Sequence, residues 1–136
     1  MTTKLIADKT NIWNDVKVNE YLLTKHNPNK IDMPTANLPF KPLGITVHNT
    51  DDLANVEDDG EQYTRATING NMKTVRVHFY VDDLCAWQNL PFTLSSWHAG
   101  DGNGNGNRKT ISIECIMKSS TDTESLKAED NCARLV

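Results

Sequence analysis

The clearest pattern of hydrophobic and polar positions lies at residues 110–117, where apolar residues alternate with small or polar ones. Ile111 and Ile113 alternate with Ser112 and Glu114, and this period of two residues is typical of a β-strand. The pattern therefore predicts a central strand of a sheet. Glu114 is expected on the face opposite the isoleucines, held by a strand and not by a loop.

Two interpretations of Glu114 follow from this position. On an edge strand it would be an exposed glutamate without a role. In a central strand a carboxylate without a partner is costly, which favours a functional one. A carboxylate mounted rigidly near histidines is what metal-assisted hydrolysis needs.

A second apolar run, residues 43–48, predicts a buried strand with Ile45 and Val47 on one face. Thr46 and His48 then share the other face. A histidine at the end of a strand is either a structural residue or a functional one, and a neutral imidazole is a good zinc donor.

The chain before this strand has a different character. Residues 1–42 carry a weak helical pattern, followed by prolines that impose extended backbone. The apolar residues of that pattern are Ile12, Val16, Leu22 and Leu23. We interpret 1–42 as an N-terminal segment that packs on a domain formed by residues 43–136.

The rest of the chain alternates between helical and strand-like patterns. In order, these are an acidic loop at 51–59, a helix near 60–68, a hairpin of 75–81 and 84–88 around Asp82 and Asp83, and a helix from about Ser125. The last helix carries an apolar stripe of Ala128, Cys132, Leu135 and Val136. This alternation predicts an α/β fold, a mixed central β-sheet flanked by helices.

Charge and composition exclude several classes of function. A net charge of −4 and a pI near 5.5 argue against nucleic-acid binding, which needs a basic face. The sequence contains no run of about 18 apolar residues, so no membrane span is predicted. The first residues lack the apolar stretch of a signal peptide. We therefore expect a monomer that is synthesised in the cytoplasm. Cys85, Cys115 and Cys132 are odd in number and show no CxxC spacing, so they are predicted to be buried reduced thiols, with Cys115 on the isoleucine face.

Five segments occur in an order that resembles a known family. They are ITVHNT (45–50), HFYVDD (78–83), AWQNLP (86–91), SWHAGDG (96–102) and SIE (112–114). Together they resemble the zinc-dependent N-acetylmuramoyl-L-alanine amidases of the type 2 class, found in phage endolysins and bacterial autolysins and related to peptidoglycan-recognition proteins. The resemblance covers residues 43–136.

This resemblance implies a chemistry and a set of site residues. The substrate would be bacterial peptidoglycan, cleaved at the amide bond between N-acetylmuramic acid and L-alanine after the protein has reached the cell wall. His48 matches the first zinc ligand, and Glu114 matches the general base toward the zinc-bound water. Trp97, His98, Asp101 and Asn103 are expected to bind substrate. The family's remaining zinc ligands are expected beyond Val136, so the 136-residue chain by itself is expected to be inactive.

The sequence leaves several alternatives open. A peptidoglycan-binding module of the same fold without catalysis is the alternative function, since ligands are missing. His78 is interpreted as a structural histidine. The run 101–107 begins like a calcium loop, but Ser112 replaces the bidentate glutamate, and Asn107 interrupts a GxGxxG fingerprint. We expect this run to be a long turn that shapes one wall of the substrate groove.

Overall fold

A computed structural model describes residues 3–31, 40–50, 59–117 and 123–136. It contains a six-stranded sheet with the spatial order β1-β2-β5-β4-β6-β3. The strands are β1 (Lys9–Trp13), β2 (Val16–Glu20), β3 (Gly44–Asn49), β4 (Phe79–Val81), β5 (Ala86–Gln88) and β6 (Thr110–Cys115). The pairs β1/β2 and β4/β5 are antiparallel, whereas β2/β5, β4/β6 and β3/β6 are parallel. The predicted mixed sheet is therefore confirmed, and β6 is paired on both sides as a central strand should be.

Helices accompany this sheet. They are α1 (Leu23–His26), a 3-10 turn (Pro28–Lys30), α2 (Gly60–Ile68), α3 (Asn105–Lys109) and α4 (Thr123–Leu135). The predicted helices near 60–68 and from about Ser125 are confirmed. Asp59 caps α2, because its carboxylate accepts a hydrogen bond from the Gln62 amide at 2.8 Å. Within the described residues, none of these helices combines the length and the apolar character needed to cross a membrane.

The helical interpretation of Ile12 and Val16 is wrong, because they lie in the β1–β2 hairpin, whereas Leu23 at the end of the pattern begins α1. Asn14 and Asp15 both have positive φ, 49° and 66°, as a two-residue hairpin turn with the right-handed strand twist requires. Val16 and Val18 are both about 1% exposed, while Lys17 between them faces solvent. That period of two is easily misread as a sparse helical stripe over so few residues.

The expectation that the strand at 43–48 is buried is also wrong. β3 is the last strand in the sheet order and pairs only with β6 among the described strands. Its apolar side chains Ile45 and Val47 remain 42% and 46% exposed. Its predicted division into two faces holds, since Ile45 and Val47 align with Ile111 and Ile113 of β6.

The main core lies between one face of the sheet and α4. It comprises Val16, Val18, Phe79, Val81, Ala86, Ile113, Cys115, Met117, Ala128 and Cys132. Cys115 lies with the isoleucines as predicted. The three cysteines are free, with Cys115 and Cys132 buried and Cys85 half-buried. On α4 the stripe contains Ala128, Cys132 and the partly buried Leu135, but Val136 lies outside the helix and is 62% exposed.

Three loops were predicted from the sequence, at 51–59, at Asp82 and Asp83, and at 101–107. The hairpin around Asp82 and Asp83 is confirmed, although β4 and β5 are shorter than the predicted strands. The run 101–107 is a turn only at its beginning, because α3 starts at Asn105. The predicted acidic loop lies outside the described residues except for Asp59.

Candidate active site

A row of polar side chains crosses three parallel strands on the face opposite the main core. In the register of β3 and β6, His48 aligns with Glu114, and in that of β6 and β4, Glu114 aligns with Tyr80. Neighbouring strands lie about 4.8 Å apart, so aligned side chains on one face are in reach of each other. Glu114 is thus flanked by an imidazole and a phenol, each mounted on a strand.

This row opens into a cavity of about 260 Å³. Its lining residues are His48, Asn49, Tyr63, Met72, Val75, Val77, Tyr80, His98 and Glu114. Glu114 and His48 are half-buried. The residues predicted as general base and zinc ligand therefore line one cavity, together with His98, which comes from a loop before β6.

His98 is held at the cavity by contacts on both sides of its ring. Its Nδ1 lies 3.0 Å from Nε2 of His48, and its Nε2 lies 3.0 Å from the carbonyl oxygen of Gly106. Its backbone amide donates to Oδ1 of Asn107 at 2.7 Å. Burial and the neighbouring His48 lower the pKa of His98, although the Gly106 carbonyl opposes this. Both ring nitrogens of His98 therefore have partners within the protein.

The other predicted substrate residues occupy the adjoining loop. Trp97 lines a second cavity, of about 300 Å³, and this cavity shares Val75 and His98 with the first. Asp101 is exposed, but its carboxylate accepts hydrogen bonds from the Gly106 amide at 2.8 Å and the Asn107 amide at 3.1 Å. Asn103 is exposed. The structure thus places Trp97 beside the cavity, whereas the Asp101 carboxylate braces the loop.

Two residues of the site were missed by the sequence analysis. Tyr80 is 1% exposed, stacks on Tyr63 with ring centroids 5.1 Å apart, and has its hydroxyl 3.3 Å from Oγ1 of Thr67. Burial raises its pKa to about 12. Its signal in the sequence was its place in the segment HFYVDD (78–83). Asn107, also 1% exposed, had no signal, because its role arises from the folded loop.

The structural interpretation of His78 is supported by its environment. His78 is fully buried, its Nε2 lies 2.7 Å from the carbonyl oxygen of Leu94, and its Nδ1 accepts from the Ser112 amide at 3.1 Å. Burial lowers its pKa to about 4. Both ring nitrogens are engaged within the protein, so this histidine braces β6 against the segment before Ser95.

The donor set was tested against the zinc that the resemblance implies. A catalytic zinc takes three protein ligands and leaves one position for water or substrate. Across residues 3–31, 40–50, 59–117 and 123–136, no group of three or more His, Cys, Asp or Glu side chains is arranged to hold a metal ion. The described residues therefore do not form a complete zinc site.

The family model that matches this chain is described as N-acetylmuramoyl-L-alanine amidase, and the match covers residues 39–136. The chain belongs to this family. The resemblance noted from the five sequence segments is thereby confirmed, and this family is generally zinc-dependent.

Relatives of known sequence and structure agree with this assignment. The chain is 43% identical over 95 residues to the N-acetylmuramoyl-L-alanine amidase XlyA of Bacillus subtilis, covering 70% of this chain and 31% of XlyA. It is 42% identical over 96 residues to the amidase CwlH of the same organism, covering 70% of this chain and 37% of CwlH. The structure of PlyL superposes with a TM-score of 0.72 at 33% identity, covering 87% of this chain and 69% of PlyL. The matched part of the chain thus spans about a third of the length of XlyA and of CwlH.

Proposed function

We propose that this chain forms part of a peptidoglycan hydrolase that cleaves the amide bond between N-acetylmuramic acid and L-alanine, with Glu114 as the general base. The observation that carries this proposal is the position of Glu114 in the His48–Glu114–Tyr80 row at the floor of the cavity. A general base must be held within hydrogen-bond reach of the proton it takes. A strand that is paired on both sides provides that rigid mounting.

The proposed reaction uses the residues around this carboxylate. Glu114 takes a proton from the attacking water, so that the water can add to the amide carbonyl, and it returns the proton to the leaving amine of L-alanine. The second cavity, where Trp97 offers a flat ring, would hold part of the glycan or stem peptide. Asp101 and Asn103 remain proposed contacts of that substrate.

Zinc enters this proposal through His48, which we propose as its ligand in this chain. A bound zinc would polarise the carbonyl and acidify the attacking water. The described residues hold no complete site, so the remaining ligands would come from elsewhere. We therefore expect the 136-residue chain alone to bind zinc weakly and to hydrolyse peptidoglycan slowly.

The test replaces Glu114 with glutamine, which keeps the shape of the side chain but accepts no proton. In a chain that carries the full amidase domain and is supplied with zinc, we expect Glu114→Gln to lower the release of stem peptides from purified peptidoglycan by about 10²-fold or more. Glu129→Gln is the matched control, because Glu129 is exposed on α4. The assay detects new L-alanine amino termini. A folded Glu114→Gln protein that releases them at the wild-type rate would exclude Glu114 as the base.

A second candidate is a module that binds peptidoglycan without cleaving it. The incomplete donor set among the described residues favours it. Co-sedimentation with peptidoglycan and zinc titration by calorimetry separate the two. In a chain that carries the full amidase domain, binding with no new amino termini at any zinc concentration supports the binding module. Zinc-dependent release of stem peptides supports the hydrolase.

A further inference from the structure

We infer that His98 is a positioning residue, which accepts a hydrogen bond from Nε2–H of His48 and so holds His48 in the tautomer whose Nδ1 carries the lone pair. The His98 ring was expected to contact substrate, but both of its nitrogens have partners inside the protein. This inference deepens the proposed function and rests on it only in assigning His48 to the reaction.

The Gly106 carbonyl has no hydrogen and can only accept a hydrogen bond. His98 Nε2, at 3.0 Å from this oxygen, must therefore carry its proton. A neutral imidazole carries a single ring proton, so with that proton on Nε2 the other nitrogen of His98, Nδ1, has a lone pair and accepts. Nε2 of His48 lies 3.0 Å from this Nδ1 and must be the donor. In a neutral imidazole, protonation of Nε2 leaves Nδ1 of His48 as an acceptor or metal donor.

Neighbouring hydroxyl groups are consistent with this direction. The Thr110 hydroxyl donates to the same Gly106 carbonyl at 2.7 Å, which uses its only hydrogen. The Thr46 hydroxyl, 2.8 Å from Thr110 Oγ1, must therefore donate to it. A carbonyl oxygen has two lone pairs, so Gly106 can accept from both Thr110 and His98. His98 Nε2 also lies 3.4 Å from Thr110 Oγ1, which can accept there because its hydrogen points to Gly106. No donor in this network therefore faces another donor.

The loop that follows His98 is built to hold this carbonyl in place. Asn107 is 1% exposed, and its Oδ1 accepts from the amides of His98 and Ala99 at 2.7 and 2.8 Å. Asp101 in turn accepts from the Gly106 and Asn107 amides. A Cβ on Gly106 would lie 2.6 Å from Cβ of Ala99, so only glycine permits this close approach. Asn107 therefore positions His98, and His98 positions His48.

Partners of this kind are usual for metal-binding histidines. The nitrogen that does not bind the metal donates to an acceptor, which selects the tautomer and orients the ring. That acceptor is commonly a carboxylate or a backbone carbonyl. Here the acceptor is a second histidine, His98. It can accept because the Gly106 carbonyl holds the proton of the His98 ring on Nε2.

Nuclear magnetic resonance of the chain with ring-¹⁵N-labelled histidine tests the inference directly. The chain has 4 histidines, so single substitutions assign every ring. We expect the proton shared by the two rings to be bonded to Nε2 of His48 and to show scalar coupling across the hydrogen bond to Nδ1 of His98. A proton bonded to Nδ1 of His98, or the absence of coupling together with mixed tautomers of His48, would overturn the inference.

Substitutions then test the positioning roles. In His98→Phe, a ring without nitrogens, we expect the His48 ring proton to exchange with water about tenfold faster or more, because one hydrogen bond is lost. Asn107→Ala removes the oxygen that accepts from the amides of His98 and Ala99, and it should weaken the coupling. An unchanged exchange rate in His98→Phe would contradict the role of His98.

His78 serves as the internal control for folding. Its Nε2 faces the Leu94 carbonyl and its Nδ1 accepts from the Ser112 amide, so it has the same tautomer with separate partners. The ring signals of His78 should be unchanged in all variants. If Asn107→Ala alters them, that variant is misfolded, and the result for His98→Phe alone tests the positioning role of His98. Coupling in this chain, together with no cleavage of peptidoglycan by a zinc-supplied chain that carries the full amidase domain, would refute the proposed function and leave this inference standing. Cleavage without coupling would refute this inference and leave the proposed function standing.

Discussion

On strands β3, β6 and β4 the two faces of the sheet carry opposite chemistry at alternate residues. One face presents Ile111, Ile113 and Phe79, which contribute to the main core and to an apolar groove of about 260 Å³. The other presents His48, Glu114 and Tyr80 at the candidate active site. Because successive side chains of a strand point to opposite faces, one strand serves as core and as site mounting. Substitutions one residue apart should therefore separate stability from activity.

The largest expected effect on stability belongs to the apolar face. Ile113 is 1% exposed and lies in the strand paired on both sides, so Ile113→Ala should lower the free energy of unfolding by roughly 4 kcal/mol. Ile45 points to the same face but is 42% exposed, and Ile45→Ala should cost about 1 kcal/mol or less. Urea denaturation of both variants measures this. Equal losses would mean that the groove beside β3 is as closed as the core.

His78 lies in a buried part of the polar face. It makes the free energy of unfolding of the protein depend on pH. The folded-state pKa is about 4, against an ordinary value of 6.5. The unfolded chain therefore binds a proton between pH 6.5 and 4 that the folded protein does not. The contribution of the neutral ring is complete above pH 6.5 and is lost as the pH falls to 4, a change of about 3 kcal/mol.

His78→Gln should remove this part of the pH dependence, since glutamine can still donate and accept but does not titrate. Unfolding free energies of both proteins from pH 7 to 4 give the comparison. Subtracting one curve from the other cancels the carboxylates that titrate in both. Parallel curves would show that His78 takes up its proton within the folded state.

The smallest expected effect concerns the phenol at the end of the site row. Tyr80→Phe removes a hydroxyl that lies 3.3 Å from Thr67 Oγ1, while that Thr67 hydroxyl still donates to the Tyr63 carbonyl. The expected loss of stability is about 1 kcal/mol. A double-mutant cycle with Thr67→Val isolates the pair, with an expected coupling near 0.5 kcal/mol or more. Additive losses would mean that the two hydroxyls do not interact.

Local alternation was enough to predict the parts of the fold and site that depend on strand parity. Residues 110–117 indicated that Glu114 opposes the isoleucines, and residues 45–48 indicated that His48 lies on the polar face; the register confirms both orientations. The helices at Gly60–Ile68 and Thr123–Leu135 were likewise predicted, because helical patterns are local features of the sequence. The roles of Glu114 and His48 remain proposals that the resemblance to amidases supports.

Contacts between distant segments were decided only by the tertiary structure. Strand order made β3 an edge strand and left Ile45 exposed, although its sequence is as apolar as that of a buried strand. The contact between His48 and His98 joins residues 50 positions apart. Its direction depends on a carbonyl, at Gly106, that no side-chain pattern reveals. Strand parity is a property of neighbouring residues, whereas burial and the tautomer of a histidine depend on what the fold places against them.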